Sequence, residues 1–352
     1  MQTDLSAWSD ERLAGQRLMA GFHGTAFDAA LEGLIVGLHL GGLILFKRNL
    51  LCPDQIARLC QSVQACARSC GLPPLLIAID QEGGPVARLG PPFTRFAGNL
   101  SMEDEADADR FAAITAAELS AVGITMNLAP VLDVVPEGFP GVMAGRVFAG
   151  GPNRVARLGC AVIEGLQRRG LMAVAKHFPG IGRTSLDSHV DRPELHVGQA
   201  SLEAFDLIPF QAAVKCEVAG IMLAHVLYPA LDPTWPASLS RRIATGLLRK
   251  RMGYTGIVMT DDLEMGAIER CGGLDWAFGG LLQAEVDMAL VCHTREKIER
   301  ASRFMARASA SSQRGRQAAE RSVGRILAVK ERYWLREKTS ASSPQRSPAT
   351  RR

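Results

Sequence analysis

Eight short apolar runs, separated by segments of helical periodicity, set the tightest limit on how this chain can fold. They cover residues 17–22, 42–46, 75–79, 125–128, 172–175, 220–224, 256–260 and 287–292. Several are continuously apolar instead of alternating, which marks strands covered on both faces, as in a parallel sheet. Between them, residues 53–67 place Ile56, Leu59, Cys60, Val63 and Ala67 on one helical face, with Pro53 suited to the first turn. Residues 103–121 open with acidic side chains that suit a helix N-terminus. Residues 153–168, 202–217, 241–252 and 274–285 follow the same pattern, and 295–332 reads as a long helical stretch broken around 309–312. Strand and helix alternate without an internal linker. This predicts the α/β class and a single (β/α)8 TIM-type barrel, with an open doubly wound sheet as the competing arrangement.

Charge narrows the partners. The formal net charge is +4, but Arg336, Lys338, Arg346, Arg351 and Arg352 stand against Glu337 alone at the C-terminus, so the rest of the chain is close to neutral. A nucleic-acid-binding face needs a basic stripe on the folded part, and none is expected here. The domain is placed at residues 1–335, followed by a disordered, basic, Ser/Pro-rich tail at 336–352. The start has no basic segment leading into an apolar one, and the apolar stretch 33–46 is broken by His39 and too short to span a bilayer. Neither secretion nor membrane insertion is expected. The eight cysteines form no C-x-x-C pair and read as free, buried thiols in a reducing cytoplasm.

In a parallel barrel the reactive groups gather at the C-terminal strand ends. Asp80 follows the third run, Asp133 lies beyond the fourth, Lys176-His177 follow the fifth, His225 the sixth and Asp261-Asp262 the seventh. Adjacent strand residues point to opposite sides, so one of the two aspartates is expected to face the barrel mouth. Asp262 is equally suited to cap a helix beginning at Leu263. Asp187 and His189 are spaced to fall on one side of an extended segment. There the carboxylate orients the imidazole as a general acid and base near neutral pH. Asp80, Arg88, Arg146, Lys176 and His177 supply directed partners for a hydroxyl-rich ligand. A metal held by the histidines and aspartates, and a phosphate cradle at Gly83-Gly84, are weaker alternatives.

The joined pattern resembles the family-3 glycoside hydrolases, specifically their bacterial NagZ-type β-N-acetylglucosaminidases. The matching pieces are GGLILFKRN (41–49), IDQEGGPVARL (79–89), NLAPVLDV (127–134), GRVF (145–148), KHFPGIGRTSLDSH (176–189), AHVLYP (224–229) and MTDDLEM (259–265). The resemblance implies Asp261 as nucleophile, His189 as acid/base supported by Asp187, and Asp80, Arg88, Arg146, Lys176 and His177 as the groups holding N-acetylglucosamine. It also implies a retaining hydrolase of small carbohydrate substrates that needs no metal or organic cofactor. A cytoplasmic monomer acting on anhydro-muropeptides in cell-wall recycling is the expected setting. Residues 178–186 would form a mobile arm that delivers Asp187 and His189. Two positions depart from the family pattern: Ile181 stands where relatives carry histidine, and Pro85 where arginine is common. A phosphorylase using phosphate in place of water, and a non-catalytic sugar-binding barrel, are the competing functions.

Overall fold

A computed structural model describes residues 4–184 and 193–340. At its centre is a closed barrel of parallel strands. They are β1 (Leu18–Ala20), β2 (Gly42–Leu45), β3 (Leu76–Ile79), β4 (Met126–Asn127), β5 (Met172–Phe178), β6 (Gly220–Leu223), β7 (Ile257–Asp262) and β8 (Met288–Val291). Neighbours follow chain order around the barrel, and β1 closes it by pairing with β8, Leu18 opposite Ala289. All eight expected strands are present. β5 and β7 run further than their apolar residues, into Lys176-His177-Phe178 and Asp261-Asp262.

Alternate residues of each strand enter two separate apolar clusters. Leu76 and Ala78, Met172 and Val174, and Ile257 and Met259 meet inside the barrel with Met19, Met126, Met222 and Met288. Their neighbours Ile77, Ile79, Ala173, Ala175 and Val258 pack outward beneath the helices. With both faces buried, an apolar residue is favoured at every position.

The helical shell contains α1 (Asp10–Gln16), α2 (Ala29–Leu38), α3 (Pro53–Ser69), α4 (Glu105–Ala121), α5 (Pro152–Arg168), α6 (Leu207–Lys215), α7 (Gly273–Ala284), α8 (Arg295–Ala310) and α9 (Gln313–Ser340). α4 begins at Glu105 because the Asp104 side chain accepts the N–H groups of Ala106 and Asp107, ending the extended approach there. The break expected around 309–312 separates α8 from α9. α9 continues to Ser340, so helix extends past the expected domain end at residue 335. Among the described residues no helix is long and apolar enough to cross a membrane.

The cysteine expectation needs correction. Cys60, Cys66 and Cys292 are buried, but Cys52 and Cys70 are exposed and Cys160 and Cys216 only half-buried. Several lie on the outer helices, where one flank meets solvent. At the N-terminal end of the barrel α9 lays Lys330 across the floor. Its buried ammonium donates to Gln16 Oε1 at 3.1 Å and to the Gly41 carbonyl at 2.9 Å.

Candidate active site

Strand periodicity carries the inward rows of β3, β5 and β7 one step beyond their apolar layers, to Asp80, Lys176 and Asp261. The pairing of β5 with β6 is irregular between Ala175 and Phe178, and Lys176 and His177 both border the space above the barrel. That space is a cavity of about 440 Å³. Asp80, Arg88, Arg146, Lys176, His177 and Asp261 all line it, so these six candidates converge there, while Asp133 and His225 stand behind the lining. Asp187 and His189 lie outside the described residues. A larger cavity, about 1380 Å³, opens beside α9 at the opposite end of the barrel and contains none of them.

Four of these groups belong to one buried charge network. Lys176 Nζ donates to Asp80 Oδ1 at 2.8 Å and to Glu82 Oε1 at 2.7 Å. Arg88 Nη2 reaches Asp80 Oδ2 at 3.1 Å, and Arg146 grips Glu82 with Nε at 3.0 Å and Nη2 at 2.7 Å. Burial alone would push both carboxyls up. Lys176 and Arg88 overcome it at Asp80, and Lys176 and Arg146 at Glu82, holding each below the usual carboxylate range. Burial likewise opposes the charge on Lys176, and the two carboxylates more than restore it. Glu82 escaped the sequence reading. Its signal was spacing, since Asp80 and Glu82 lie two apart in an extended segment and turn to the same side.

Gly83 and Gly84 have a structural task. Residues Gln81–Gly83 pair antiparallel with Val86–Ala87, and the turn between them puts Gly83 and Gly84 at φ +87° and +57°. The backbone also runs against Gly98, where a Cβ on Gly83 would lie 3.0 Å from its Cα.

His177 is held by a residue that follows the neighbouring strand, β4. Its Nδ1–H donates to Asp133 Oδ2 at 2.8 Å, which leaves Nε2 for the cavity side. Asp133 is fully buried and also accepts the backbone N–H of Ile181 at 2.8 Å. Sequence reading placed Asp133 after the fourth strand without giving it a role.

Asp261 and Asp262 divide as strand alternation requires. Asp262 also borders the cavity, but its Oδ1 accepts the N–H groups of Glu264 at 3.1 Å and Cys292 at 3.2 Å, while Oδ2 pairs with His293 Nε2 at 3.1 Å. It ties β7 to the end of β8 and does not cap a helix at Leu263, since the next helix begins only at Gly266. Asp261 Oδ1 accepts the Asp262 N–H at 2.8 Å. Burial disfavours its charge, but His177, His225, that N–H and Lys176 together hold the carboxyl below its ordinary value. His225 donates from Nε2 to the Asp262 carbonyl at 2.9 Å and accepts the Ser238 hydroxyl at Nδ1, 2.7 Å away.

Residues 178–184, the described part of the mobile arm expected over 178–186, are packed against the barrel. Phe178, Ile181 and Thr184 are buried, and Phe178 meets Phe210 edge-on at 5.2 Å. Gly180 lies at φ +124° with its carbonyl accepting the Tyr228 hydroxyl at 2.8 Å. A Cβ on Gly182 would stand 2.1 Å from the Val134 carbonyl oxygen. Arg183 pairs with the buried carboxylate of Asp206. Through Thr184 this is a packed stem, and Ile181 takes part by filling the core where a histidine would have brought a polar ring.

The sequence pattern described as Glycosyl hydrolase family 3 N terminal domain matches residues 10–329. The chain is 37% identical over 290 residues to a beta-hexosaminidase of Alkalilimnicola ehrlichii, covering 80% of this chain and 82% of that one. It is 36% identical over 286 residues to a beta-hexosaminidase of Pseudomonas aeruginosa, covering 80% and 84%. Among solved structures, a family 3 β-N-acetylglucosaminidase from Paenibacillus sp. superimposes with a TM-score of 0.89 at 38% identity, over 98% of this chain and 65% of that one. NagZ from Neisseria gonorrhoeae in complex with N-trifluoroacetyl-D-glucosamine gives 0.72 at 28% identity, over 88% and 98%. Fold and likeness agree. The chain belongs to glycosyl hydrolase family 3, within its NagZ-type β-N-acetylhexosaminidases.

Proposed function

We propose that the chain is a retaining exo-β-N-acetylglucosaminidase in which Asp261 is the nucleophile. The observation that carries this reading is Asp261, its carboxyl held below the ordinary value by His177, His225 and Lys176, in a cavity of about 440 Å³ lined by Asp80, Arg88, Arg146, Lys176 and His177. The size suits a small ligand, and the lining offers both charged acceptors and charged donors to sugar hydroxyls. Such groups reject ligands that lack the matching hydroxyl, because a buried polar partner would then be left unpaired.

In the proposed reaction His189, oriented by Asp187, protonates the glycosidic oxygen as Asp261 attacks the anomeric carbon. The aglycone leaves as an alcohol, and a glycosyl-enzyme ester remains on Asp261. His189, now neutral, takes a proton from water, which attacks the same carbon and releases the sugar with its configuration retained. Most glycosidases use two carboxyl groups for these steps, and here a histidine-aspartate dyad replaces one of them. Asp80, Lys176, Arg88, Arg146 and His177 fix the sugar ring so that the anomeric carbon meets Asp261. The substrate class we assign is N-acetylglucosamine β-linked to cell-wall fragments, anhydro-muropeptides released in the cytoplasm, as the family resemblance implies.

The test is hydrolysis of an aryl β-N-acetylglucosaminide by wild type, Asp261→Ala and His189→Ala. Asp261→Ala should lose activity by roughly 10³-fold or more while still folded. His189→Ala should lose most on substrates with poor leaving groups. Near wild-type turnover by folded Asp261→Ala rules out the nucleophile assignment. Release of sugar 1-phosphate in phosphate buffer would make the enzyme a phosphorylase, and saturable sugar binding without turnover would make it a binding barrel.

A further inference from the structure

Cys160, on α5, and Cys216, the residue that ends α6, bring their Sγ atoms to 2.7 Å. Carbon atoms in ordinary unbonded contact stay roughly 3.5–4.0 Å apart and sulfur is no smaller, while a disulfide spans ~2.05 Å. The two sulfurs are thus already inside contact distance and need only a small approach to bond. Both residues are half-buried, so a small reagent can reach them. Neither lines the sugar cavity.

We infer that Cys160 and Cys216 form a redox-active dithiol that closes to an intramolecular disulfide when it meets a small-molecule disulfide. One thiol loses its proton and attacks a sulfur of the oxidant, forming a mixed disulfide and releasing one small thiol. The second thiol then loses its proton and attacks the protein-bound sulfur, forming the Cys160–Cys216 bond and releasing the other small thiol. Two protein thiols are oxidised and one external disulfide is reduced. Burial raises both thiols above their ordinary values, so closure is slow at neutral pH and faster in alkali, where thiolate is more abundant.

The link joins residues 56 apart in sequence and encloses β5 and the segment that leads from it to α6. Cross-linking a loop of this length restricts the unfolded chain far more than the folded one. Cys216 lies four residues before β6 starts, at the N-terminal end of the barrel and away from the cavity. Closure should therefore raise stability and leave catalysis unchanged.

The experiment incubates the reduced, folded protein with glutathione disulfide at mildly alkaline pH, then maps peptides without reduction and records Tm. The expected result is a linked peptide pair carrying Cys160 and Cys216, a Tm higher by roughly 5 °C, and unchanged kcat and KM. Cys160→Ser and Cys216→Ser should each abolish the linked pair and the Tm rise, whereas Cys52→Ser should retain both. Recovery of Cys160 and Cys216 on separate peptides, each free or singly glutathionylated, overturns the inference. A Tm rise that persists in Cys160→Ser overturns it equally.

Discussion

The imidazole of His177 donates a hydrogen bond from Nδ1–H to the fully buried carboxylate of Asp133 at 2.8 Å, and the same carboxylate holds the backbone of Ile181. One side chain beyond β4 thus fixes a cavity residue at the end of β5 and the start of the stem that follows. Asp133→Ala removes the acceptor for both. It should cost about 3 kcal/mol in urea unfolding, the range for stranding buried partners. It should also lower kcat/KM by on the order of 10², since misplacing a positioning group has that scale of effect. A loss confined to stability, with kcat/KM intact, would show that His177 holds its place without Asp133.

Lys176 is the shared cation of Asp80 and Glu82. Both carboxyls sit below their unfolded values, so the stability they contribute is fully present above about pH 4 and is lost as pH falls through their folded values. In Lys176→Met burial is left less opposed, the folded values rise, and acid unfolding should begin at higher pH than in wild type. Circular dichroism across an acid titration reads the shift. An unchanged acid midpoint would mean that Arg88 and Arg146 suffice alone.

Lys330 presents the opposite sign. Burial pushes its ammonium down to about 7 in the fold, against ~10.4 in an unfolded chain. Between these values the unfolded chain binds the extra proton, so this residue makes stability rise with pH from about 7 towards 10. Lys330→Met should flatten that slope, and Tm recorded across the interval checks it. Equal slopes in the two proteins would place the titration elsewhere.

Gly182 has no room for a side chain, since an added Cβ would meet the Val134 backbone at 2.1 Å. Gly182→Ala must displace the stem that leads to residues 185–192. Its kcat should fall by roughly 10- to 100-fold with a smaller effect on Tm than Asp133→Ala. Wild-type kcat in Gly182→Ala would separate the stem from catalysis.

The order of strands and helices was legible because each element repeats a local physical pattern. Apolar continuity marks strands buried on both faces, and helical spacing marks their cover. The barrel class followed from that alternation, and the candidate residues Asp80, Lys176, His177 and Asp261 stood out as polar groups at strand ends, where core packing has no use for them. Helix ends were less legible, because a single side chain such as Asp104 decides where α4 begins. Tertiary structure alone decided the pairings. No sequence spacing links Glu82 to Arg146, or His177 to Asp133, because those partners meet only after the barrel closes. The same holds for Ile181, which reads as a break in a polar motif but is buried as core by the packing around it. Sequence determined which chemistry reaches the mouth of the barrel, since alternation along each strand is local. Closure determined which charges neutralise one another there, since that depends on distances between strands far apart in the chain.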